Sequence, residues 1–275
     1  MSNSDKSTDF WPMVDFVVDL TEVEIVSDLL WSLGVVAIEE RSESVGVVTL
    51  RTSMGEEPEH AIASVIEAFP EIAVTRIDIN RSVADTWREH VVATWVNDSV
   101  ALVPAWISAP ENCTPIFVEP LDTFGLGNHP TTVLALRLAL LHVADSSTVF
   151  DLGCGSGVLA IGLAVLKNCV CTAYDIADNA QKAVLDNSAL NHTTDVFWTS
   201  GYPKEPSDVV LANILAPVLI QESEMISHAT KNMGLVILSG MRTEQVERVV
   251  GEFANFTEIG RDHLEGWTAV ALQKK

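Results

Sequence analysis

Apolar residues recur with two different periods along this chain, and the change of period divides the sequence into two parts. Between residues 12 and 80, Val14, Phe16 and Val18 alternate with polar residues, which is typical of a strand with one buried face. The whole stretch predicts the order strand, helix, strand, strand, helix, strand. That order is typical of a ferredoxin-like α+β domain, a fold that many unrelated functions share.

From about residue 120 onward, short apolar runs alternate with longer stretches of helical spacing. This alternation predicts a mostly parallel sheet covered by helices on both faces, as in Rossmann-like α/β domains. The last two strands follow each other without a helix and should form an antiparallel hairpin at one edge. The seven predicted strands are 147–152, 169–175, 194–199, 207–213, 233–239, 255–260 and 266–273. The predicted helices are 129–142, 157–166, 177–191, 216–230 and 242–253.

The stretch between these two parts is rich in tryptophan and proline. Residues 81–95 predict a helix that carries Trp87 and Trp95, and we expect Trp95 to pack in the core. Residues 99–119 predict short strands interrupted by prolines. The sequence thus predicts a smaller domain over 1–80, a linker over 81–118 that packs against the second domain, and an α/β domain over 119–275.

The composition indicates a folded protein that does not cross a membrane. The 275 residues are 48% hydrophobic, and this length is sufficient for two domains with a core each. The apolar stretch from Val158 to Leu166 is far shorter than the ~20 residues of a membrane span. Residues 1–9 are polar and contain no apolar signal core. We therefore expect a cytoplasmic protein.

Acidic residues strongly outnumber basic ones, and the formal net charge is −22. Residues 1–118 contain 20 acidic and 6 basic residues, and residues 119–275 contain 18 and 10. Direct binding to nucleic acid requires a basic surface, so this balance disfavours it. An acidic surface favours a basic protein partner, whereas solubility or a salty cytoplasm would explain the charge equally well.

The cysteines show no spacing that would hold a metal ion. Cys113, Cys154, Cys169 and Cys171 include no C-x-x-C pair and no Cys/His ligand spacing. We therefore expect buried, reduced thiols and no metal site.

The run Asp-Leu-Gly-Cys-Gly-Ser-Gly at 151–157 lies between a short strand and an apolar helix. Its glycines permit positive φ angles and let a ligand approach the backbone, while the helix N-terminus offers N–H groups to a negative group. In a dinucleotide-binding G-x-G-x-x-G loop the third glycine would fall at Val158, but here it is Gly157. The loop therefore favours S-adenosylmethionine over a dinucleotide, and a turn that binds no ligand is the alternative.

Two polar residues stand at the ends of predicted parallel strands, where open α/β sheets bind ligands. Asp175 is placed to bind ribose hydroxyls; the alternative is a cap for the following helix, although Asp178 could serve there. Asn213 could accept a hydrogen bond from a substrate amine, with a turn or a helix cap as its alternative.

The run Phe-Gly-Leu-Gly-Asn-His-Pro-Thr-Thr at 124–132 precedes a predicted helix. Asn128 can cap this helix, and the proline suits its first turn. Thr131 and Thr132 then present hydroxyls at the positive helix end, which favours the carboxylate of the methionine part of the cofactor. His129 is expected to pack rather than to act as a general base. An ordinary capped helix is the alternative.

With these elements, the chain resembles the PrmA type of ribosomal protein methyltransferase. The most specific similarities are the Phe-Gly-x-Gly-x-His-Pro-Thr-Thr run and the Asn-Ile-Leu-Ala run at 213–216. The resemblance implies a ferredoxin-like domain that recognises the substrate, a linker, and a seven-stranded domain that binds S-adenosylmethionine. By motif position, it places the cofactor contacts on Thr132, Gly153, Asp175 and Asn213. Asn213 would also be the catalytic residue, because it would orient the substrate amine.

The resemblance further implies an enzyme that methylates amino groups of protein eleven of the large ribosomal subunit, on lysine side chains or the N-terminus. We expect a monomer with a basic ribosomal protein as its partner and no direct contact with nucleic acid or membrane. Three alternatives remain: a methyltransferase acting on another basic protein, a small-molecule methyltransferase, and a homologue that binds the cofactor without catalysis. The dedicated N-terminal domain disfavours the small-molecule enzyme.

Overall fold

The computed structural model describes residues 10–33, 35, 38–44, 46–54, 58–80, 91–119, 127–177 and 179–275. The chain divides into two compact units, Met1–Val91 and Val92–Lys275. Each unit has its own hydrophobic core, as the length and composition predict. Among the described residues, no helix is both long and apolar enough to cross a membrane.

The first unit is a small antiparallel sheet with two helices. Its described elements are β1 (Phe10–Asp19), α1 (Val23–Ser32), β2 (Ile38–Ser44), β3 (Val47–Thr52), α2 (Glu59–Ala68) and β4 (Ala73–Asn80). The sheet order is β2-β3-β1-β4, with all neighbours antiparallel. Phe16 and Leu50 pack against Leu30 and Val65 from the helices. The strand order and connections confirm the predicted ferredoxin-like fold.

A three-stranded sheet opens the second unit: β5 (Thr94–Trp95), β6 (Val100–Pro104) and β7 (Thr114–Val118), in that spatial order. The predicted helix over 81–95 is wrong at its end, because Thr94 and Trp95 pair with β6 as a strand. Trp95 is 43% exposed, so the expectation of core packing is also wrong. Trp87 lies outside the described residues, and the division at residues 80 and 118 stays a prediction.

The main sheet of the second unit has seven strands in the described part of the chain. They are β8 (Thr148–Leu152), β9 (Val170–Tyr174), β10 (Val196–Trp198), β11 (Ser207–Asn213), β12 (Thr230–Arg242), β13 (Phe256–Leu264) and β14 (Trp267–Lys274). Their order is β10-β9-β8-β11-β12-β14-β13, and only pairings with β14 are antiparallel. The predicted mostly parallel sheet and its terminal hairpin are confirmed.

Six described helices cover this sheet: α3 (Pro130–His142), α4 (Val158–Lys167), α5 (Ala180–Leu190), α6 (Ala216–Gln221), α7 (Ser223–Ala229) and α8 (Val246–Gly251). Alternate residues of the central strand β11 point to two cores: Val209 and Leu211 to the core under α3 and α4, Val210 and Ala212 to the core under α6 to α8. Burial on both faces explains why β11 is an uninterrupted apolar run.

Three of the predicted helices differ in extent from those observed. The predicted helix 242–253 is an α-helix only over Val246–Gly251, and a 3-10 helix at Thr243–Gln245 precedes it. The predicted helix 216–230 is divided at Glu222 into α6 and α7. The predicted helix 177–191 begins only at Ala180, because the Asp175 carboxylate accepts the N–H of Ala177 and holds this stretch in a turn.

The strand order reverses direction at the centre of the main sheet. From β8 the chain moves outward through β9 to β10, whereas from β11 it moves outward to β12 on the other side. Open α/β sheets bind ligands in the crevice beyond the carboxyl ends of the strands at such a point. The glycine loop, Asp175 and Asn213 all follow or end strands at this edge.

Candidate functional site at the sheet edge

The glycine loop leaves the end of β8 in a tight turn. Gly153, Gly155 and Gly157 have φ angles of 69°, 52° and 78°, which confirms the expected left-handed backbone. The N–H groups of Gly153 and Cys154 donate to the Tyr174 carbonyl at 2.8 and 3.1 Å. The loop is therefore fixed to the end of the neighbouring strand β9.

Packing around Ile214 requires two of the glycines near the site. A Cβ on Gly153 would lie 2.2 Å from Ile214 Cγ2, and a Cβ on Gly240 would lie 2.3 Å from the Ile214 carbonyl oxygen. Gly153 thus leaves room for a neighbouring side chain as well as for a ligand. The sequence contains the two glycines, but only the fold shows that the same isoleucine lies against both.

Asp175 binds the glycine loop directly. Its Oδ2 accepts the N–H of Gly155 at 2.8 Å, and its Oδ1 accepts the N–H of Ala177 at 2.9 Å. The alternative role as a helix cap is not observed, because α5 begins at Ala180 with Asn179 as its N-cap. Asp178, the other candidate cap, lies outside the described residues. Asp175 joins the ends of β8 and β9 at the loop.

A pocket of about 370 Å³ opens beside Asp175. Tyr174, Ile176 and Trp198 line it, and the Tyr174 and Trp198 rings lie 6.4 Å apart. Ile176 is 90% exposed, although it is a large apolar residue. Aromatic and aliphatic walls next to a carboxylate suit a flat heterocycle attached to a sugar. Sequence reasoning missed Ile176 and Trp198; their signal was their position at the ends of β9 and β10.

His129, and not Asn128, caps α3. The His129 ring nitrogen Nδ1 accepts the N–H of Thr131 at 3.3 Å and lies 2.8 Å from Thr131 Oγ1. The predicted Asn128 cap is wrong by one residue, because the helix begins at Pro130 and its cap must directly precede it. Asn128 is exposed.

The His129 ring also packs, as expected from the sequence. It meets Trp267 edge to face with ring centroids 4.9 Å apart, and the Arg242 guanidinium lies 4.0 Å above the same tryptophan. Burial, assisted by the positive charge of Arg242, lowers the pKa of His129 to about 4. The imidazole is therefore neutral at pH 7 and can accept hydrogen bonds.

The N-terminus of α3 is tied to two strand ends. The Asn213 amide nitrogen donates to Thr132 Oγ1 at 3.4 Å, and Ser239 Oγ donates to the Thr131 carbonyl at 2.9 Å. Asn213 does not cap α6, whose N-cap is Leu215. The four predicted site residues thus form two pairs at one edge: Gly153 with Asp175 through the glycine loop, and Thr132 with Asn213. Ile214 links the pairs by its contact with Gly153.

Comparison with known proteins adds to this geometry. A family model described as ribosomal protein L11 methyltransferase (PrmA) matches residues 56–275. The chain belongs to this family. The ribosomal protein L11 methyltransferase of Thiobacillus denitrificans is 31% identical over 301 residues, which cover 96% of this chain and 99% of that protein.

Two further relatives match a shorter part of this PrmA-family chain. The ribosomal protein L11 methyltransferase of Neisseria meningitidis serogroup B is 33% identical over 183 residues, which cover 66% of this chain and 62% of that protein. The crystal structure of a ribosomal protein L11 methylase from Lactobacillus delbrueckii subsp. bulgaricus has 28% identity and a TM-score of 0.62. It covers 66% of this chain and 98% of the crystallised chain.

The first residue of the glycine motif in this PrmA-family chain, Asp151, is buried beneath the loop. It is 1% exposed, and its Oδ2 accepts the N–H of Ala160 at 3.1 Å. Burial, with a smaller contribution from the charge of Asp175, raises the pKa of Asp151 to about 7. The hydrogen bond from Ala160 connects Asp151, at the end of β8, to the first turn of α4.

Cysteines lie in and near the same loop. Cys154, Cys169 and Cys171 are buried free thiols, and Cys113 is partly exposed. Burial raises the pKa of the Cys154 and Cys171 thiols, so both are protonated at neutral pH. In the described part of the chain, no group of three or more His, Cys, Asp or Glu side chains could hold a metal ion.

Proposed function

We propose that this protein transfers methyl groups from S-adenosylmethionine to amino groups of ribosomal protein L11, on lysine side chains or at the N-terminus. Membership of the PrmA family supports the reaction and the substrate. The observation that carries the proposal is that two polar pairs, Asp175 with the glycine loop and Asn213 with Thr132, meet at one sheet edge. We also propose that the protein works as a monomer in the cytoplasm, where ribosomes are found.

The residues at this edge fit the parts of the proposed cofactor. The pocket beside Asp175 offers apolar walls for the adenine and a carboxylate for the ribose hydroxyls. The left-handed glycines let a ligand approach the loop backbone closely, and Thr132 stands in the first turn of α3, whose positive end suits the methionine carboxylate. When bound, S-adenosylmethionine supplies a methyl group activated by a positively charged sulfur.

The contribution of the protein is to orient and desolvate the amine. A lysine amine with a pKa of ~10.4 must lose its proton before it can attack, which costs about 4.6 kcal/mol at pH 7. A desolvated site lowers the amine pKa and therefore this cost. Asn213 can accept a hydrogen bond from the amine through its side-chain oxygen, while its nitrogen donates to Thr132. This fixes the direction of the amine lone pair, and such positioning supplies much of the acceleration.

Replacement of Asn213 by alanine tests the proposed role. Because Asn213 bonds to one side chain at the surface of the site, we expect Asn213→Ala to remain folded but to lose about a hundredfold or more in turnover. The measurement is transfer of labelled methyl groups to purified L11, with mass spectrometry of the product. Asn97→Ala is the matched control, because the side-chain oxygen of Asn97 accepts hydrogen bonds from Ser99 and Val100 in the turn between β5 and β6.

The outcomes separate the candidate functions. Unchanged turnover of Asn213→Ala would exclude a catalytic role for this residue. Labelling of another basic protein in place of L11 would support a methyltransferase with a different target. Cofactor binding by calorimetry without methyl transfer to any ribosomal protein would indicate a homologue that only binds the cofactor.

A further inference from the structure

A buried asparagine on α5 joins three parts of the second unit. Asn187 is 1% exposed, and its side-chain oxygen accepts the N–H of Glu119 at 2.8 Å. Its side-chain nitrogen donates to the Glu119 carbonyl at 2.9 Å and to the Ser156 carbonyl at 3.0 Å. One amide group therefore connects α5, the residue that follows β7, and the glycine loop.

The contact with Ser156 reaches the centre of the proposed cofactor loop. Ser156 lies between Gly155, whose N–H donates to Asp175, and Gly157, which is the N-cap of α4. On α5, Val184 lies one turn before Asn187, and a Cβ on Gly157 would be 3.0 Å from its Cγ2. The loop is thus held by Asp175 on one side and by α5 on the other.

The contact with Glu119 fixes the residue that follows β7. Glu119 directly follows β7, and residues 120–126 connect it to Gly127 and the start of α3, which carries Thr132. The side-chain amide of Asn187 pairs with both the N–H and the carbonyl of Glu119, as a neighbouring strand would. Both backbone polar groups of Glu119 are therefore held by this one side chain.

We propose that Asn187 is a positioning residue for methyl transfer, which holds the glycine loop and the backbone of Glu119 at the end of β7 in a fixed relation. It does not touch the reacting atoms and acts through the Ser156 carbonyl and the Glu119 backbone. The three hydrogen bonds of the Asn187 amide reach two separate segments, and truncation of the side chain removes all three. The proposal rests on the proposed function, because it assigns the loop to cofactor binding.

A matched control, Asn191, lies one turn further on, at the C-cap of the same helix. Its side-chain oxygen accepts the N–H of Phe117 at 2.8 Å, and its nitrogen donates to the carbonyls of Phe117 and Asn187 at 2.7 and 2.8 Å. Asn191 therefore has the same residue type and the same number of side-chain hydrogen bonds as Asn187, and it bonds to Phe117 in β7, two residues before Glu119. It differs in having no bond to the glycine loop.

The experiment compares Asn187→Ala and Asn191→Ala in the full chain. We expect both variants to lower the melting temperature, because each loses three hydrogen bonds. Only Asn187→Ala should raise the dissociation constant for S-adenosylmethionine, by about tenfold, with a smaller change in turnover at saturating cofactor. Hydrogen exchange without cofactor should become faster in peptides that contain residues 153–157 for Asn187→Ala, and not for Asn191→Ala.

Asn187→Ser serves if the alanine variant does not fold, because its hydroxyl leaves one polar group in the buried position but is too short to bond Glu119 and Ser156 at the same time. Equal changes in cofactor affinity for the two helix positions, or unchanged exchange of the loop in both Asn187 variants, would overturn the proposal. If the wild-type protein does not bind S-adenosylmethionine, the proposed function fails, while the exchange measurement still decides whether Asn187 holds the loop.

Discussion

Gly153 has two separate reasons to be a glycine. Its φ of 69° disfavours a side chain, and a Cβ would lie 2.2 Å from Ile214 Cγ2. Ile214 directly follows Asn213 in the sequence. The packing of the glycine loop against Ile214 therefore also affects where the proposed catalytic residue, Asn213, is placed.

We expect Gly153→Ala to lower the free energy of unfolding by roughly 2–5 kcal/mol, because it combines backbone strain with overpacking. The measurement is urea-induced unfolding, in which the urea concentration at the midpoint should fall while the dependence of the unfolding free energy on urea stays the same. Gly251→Ala is the control: Gly251 ends α8 and a Cβ there meets no atom within 4 Å. That variant should be unchanged or more stable by about 0.4–1 kcal/mol. Similar losses in both variants would show that Ile214 does not constrain the loop.

At the scale of single residues, the sequence indicated Asp175 and Asn213 but not their partners. Asp175 bonds to Gly155, 20 positions earlier, and Asn213 bonds to Thr132, 81 positions earlier. Ends of parallel strands can be recognised from local patterns, whereas a partner far along the chain depends on strand order and register. For the same reason, Asn187 was not recognisable: nothing in its sequence neighbourhood indicates Ser156 or Glu119.

At the scale of elements, α3 depends on a histidine cap that must stay neutral. The Nδ1 atom of His129 accepts the N–H of Thr131 and therefore has to be unprotonated. The folded-state pKa of His129 is about 4, whereas an unfolded histidine titrates near 6.5. Below pH 6.5 the unfolded chain binds a proton that the folded protein does not. The contribution of this group to stability is therefore lost as the pH falls from about 6.5 to 4, and is constant below that.

Replacement of His129 by asparagine should remove this pH dependence. Asparagine is a good helix cap and does not titrate. We therefore expect the melting temperature of His129→Asn to fall less between pH 7 and pH 5 than that of the wild type. Differential scanning calorimetry across this range measures the effect. His263→Asn, at an exposed position of β13, controls for the loss of a histidine. An identical decline in the wild type and His129→Asn would argue against a neutral histidine cap.

Element types and most boundaries followed from periodicity, and the differences have local causes. The strand at 207–213 was predicted at its observed ends because it is buried on both faces and bounded by polar residues. The start of α5 was predicted too early, since the turn held by Asp175 has no hydrophobic signal. Trp95 was assigned to a helix because an aromatic residue fits both periods in a short window.

At the scale of the whole molecule, the net charge of −22 should attract a basic substrate. We expect the rate of L11 methylation at low L11 concentration to fall as salt rises from 0.05 to about 1 M, because the screening length shrinks to about 3 Å. The cofactor dissociation constant and the melting temperature, measured at the same salt concentrations, are the controls. If the methylation rate does not fall with salt while the melting temperature rises, the acidic surface would instead serve solubility or adaptation to a salty cytoplasm.

Local patterns along the chain were enough for the two folds, the glycine loop, and the cofactor class that the loop favours. Those features depend on the period of apolar residues and on glycine spacing, which are properties of neighbouring positions. Only the tertiary structure shows that Thr132 bonds to Asn213, that Ile214 lies against two glycines, and that Asn187 bonds to the glycine loop. It also shows that His129, and not the predicted Asn128, caps α3. Such contacts depend on strand order, register and side-chain volume, because each joins segments that the sequence keeps apart.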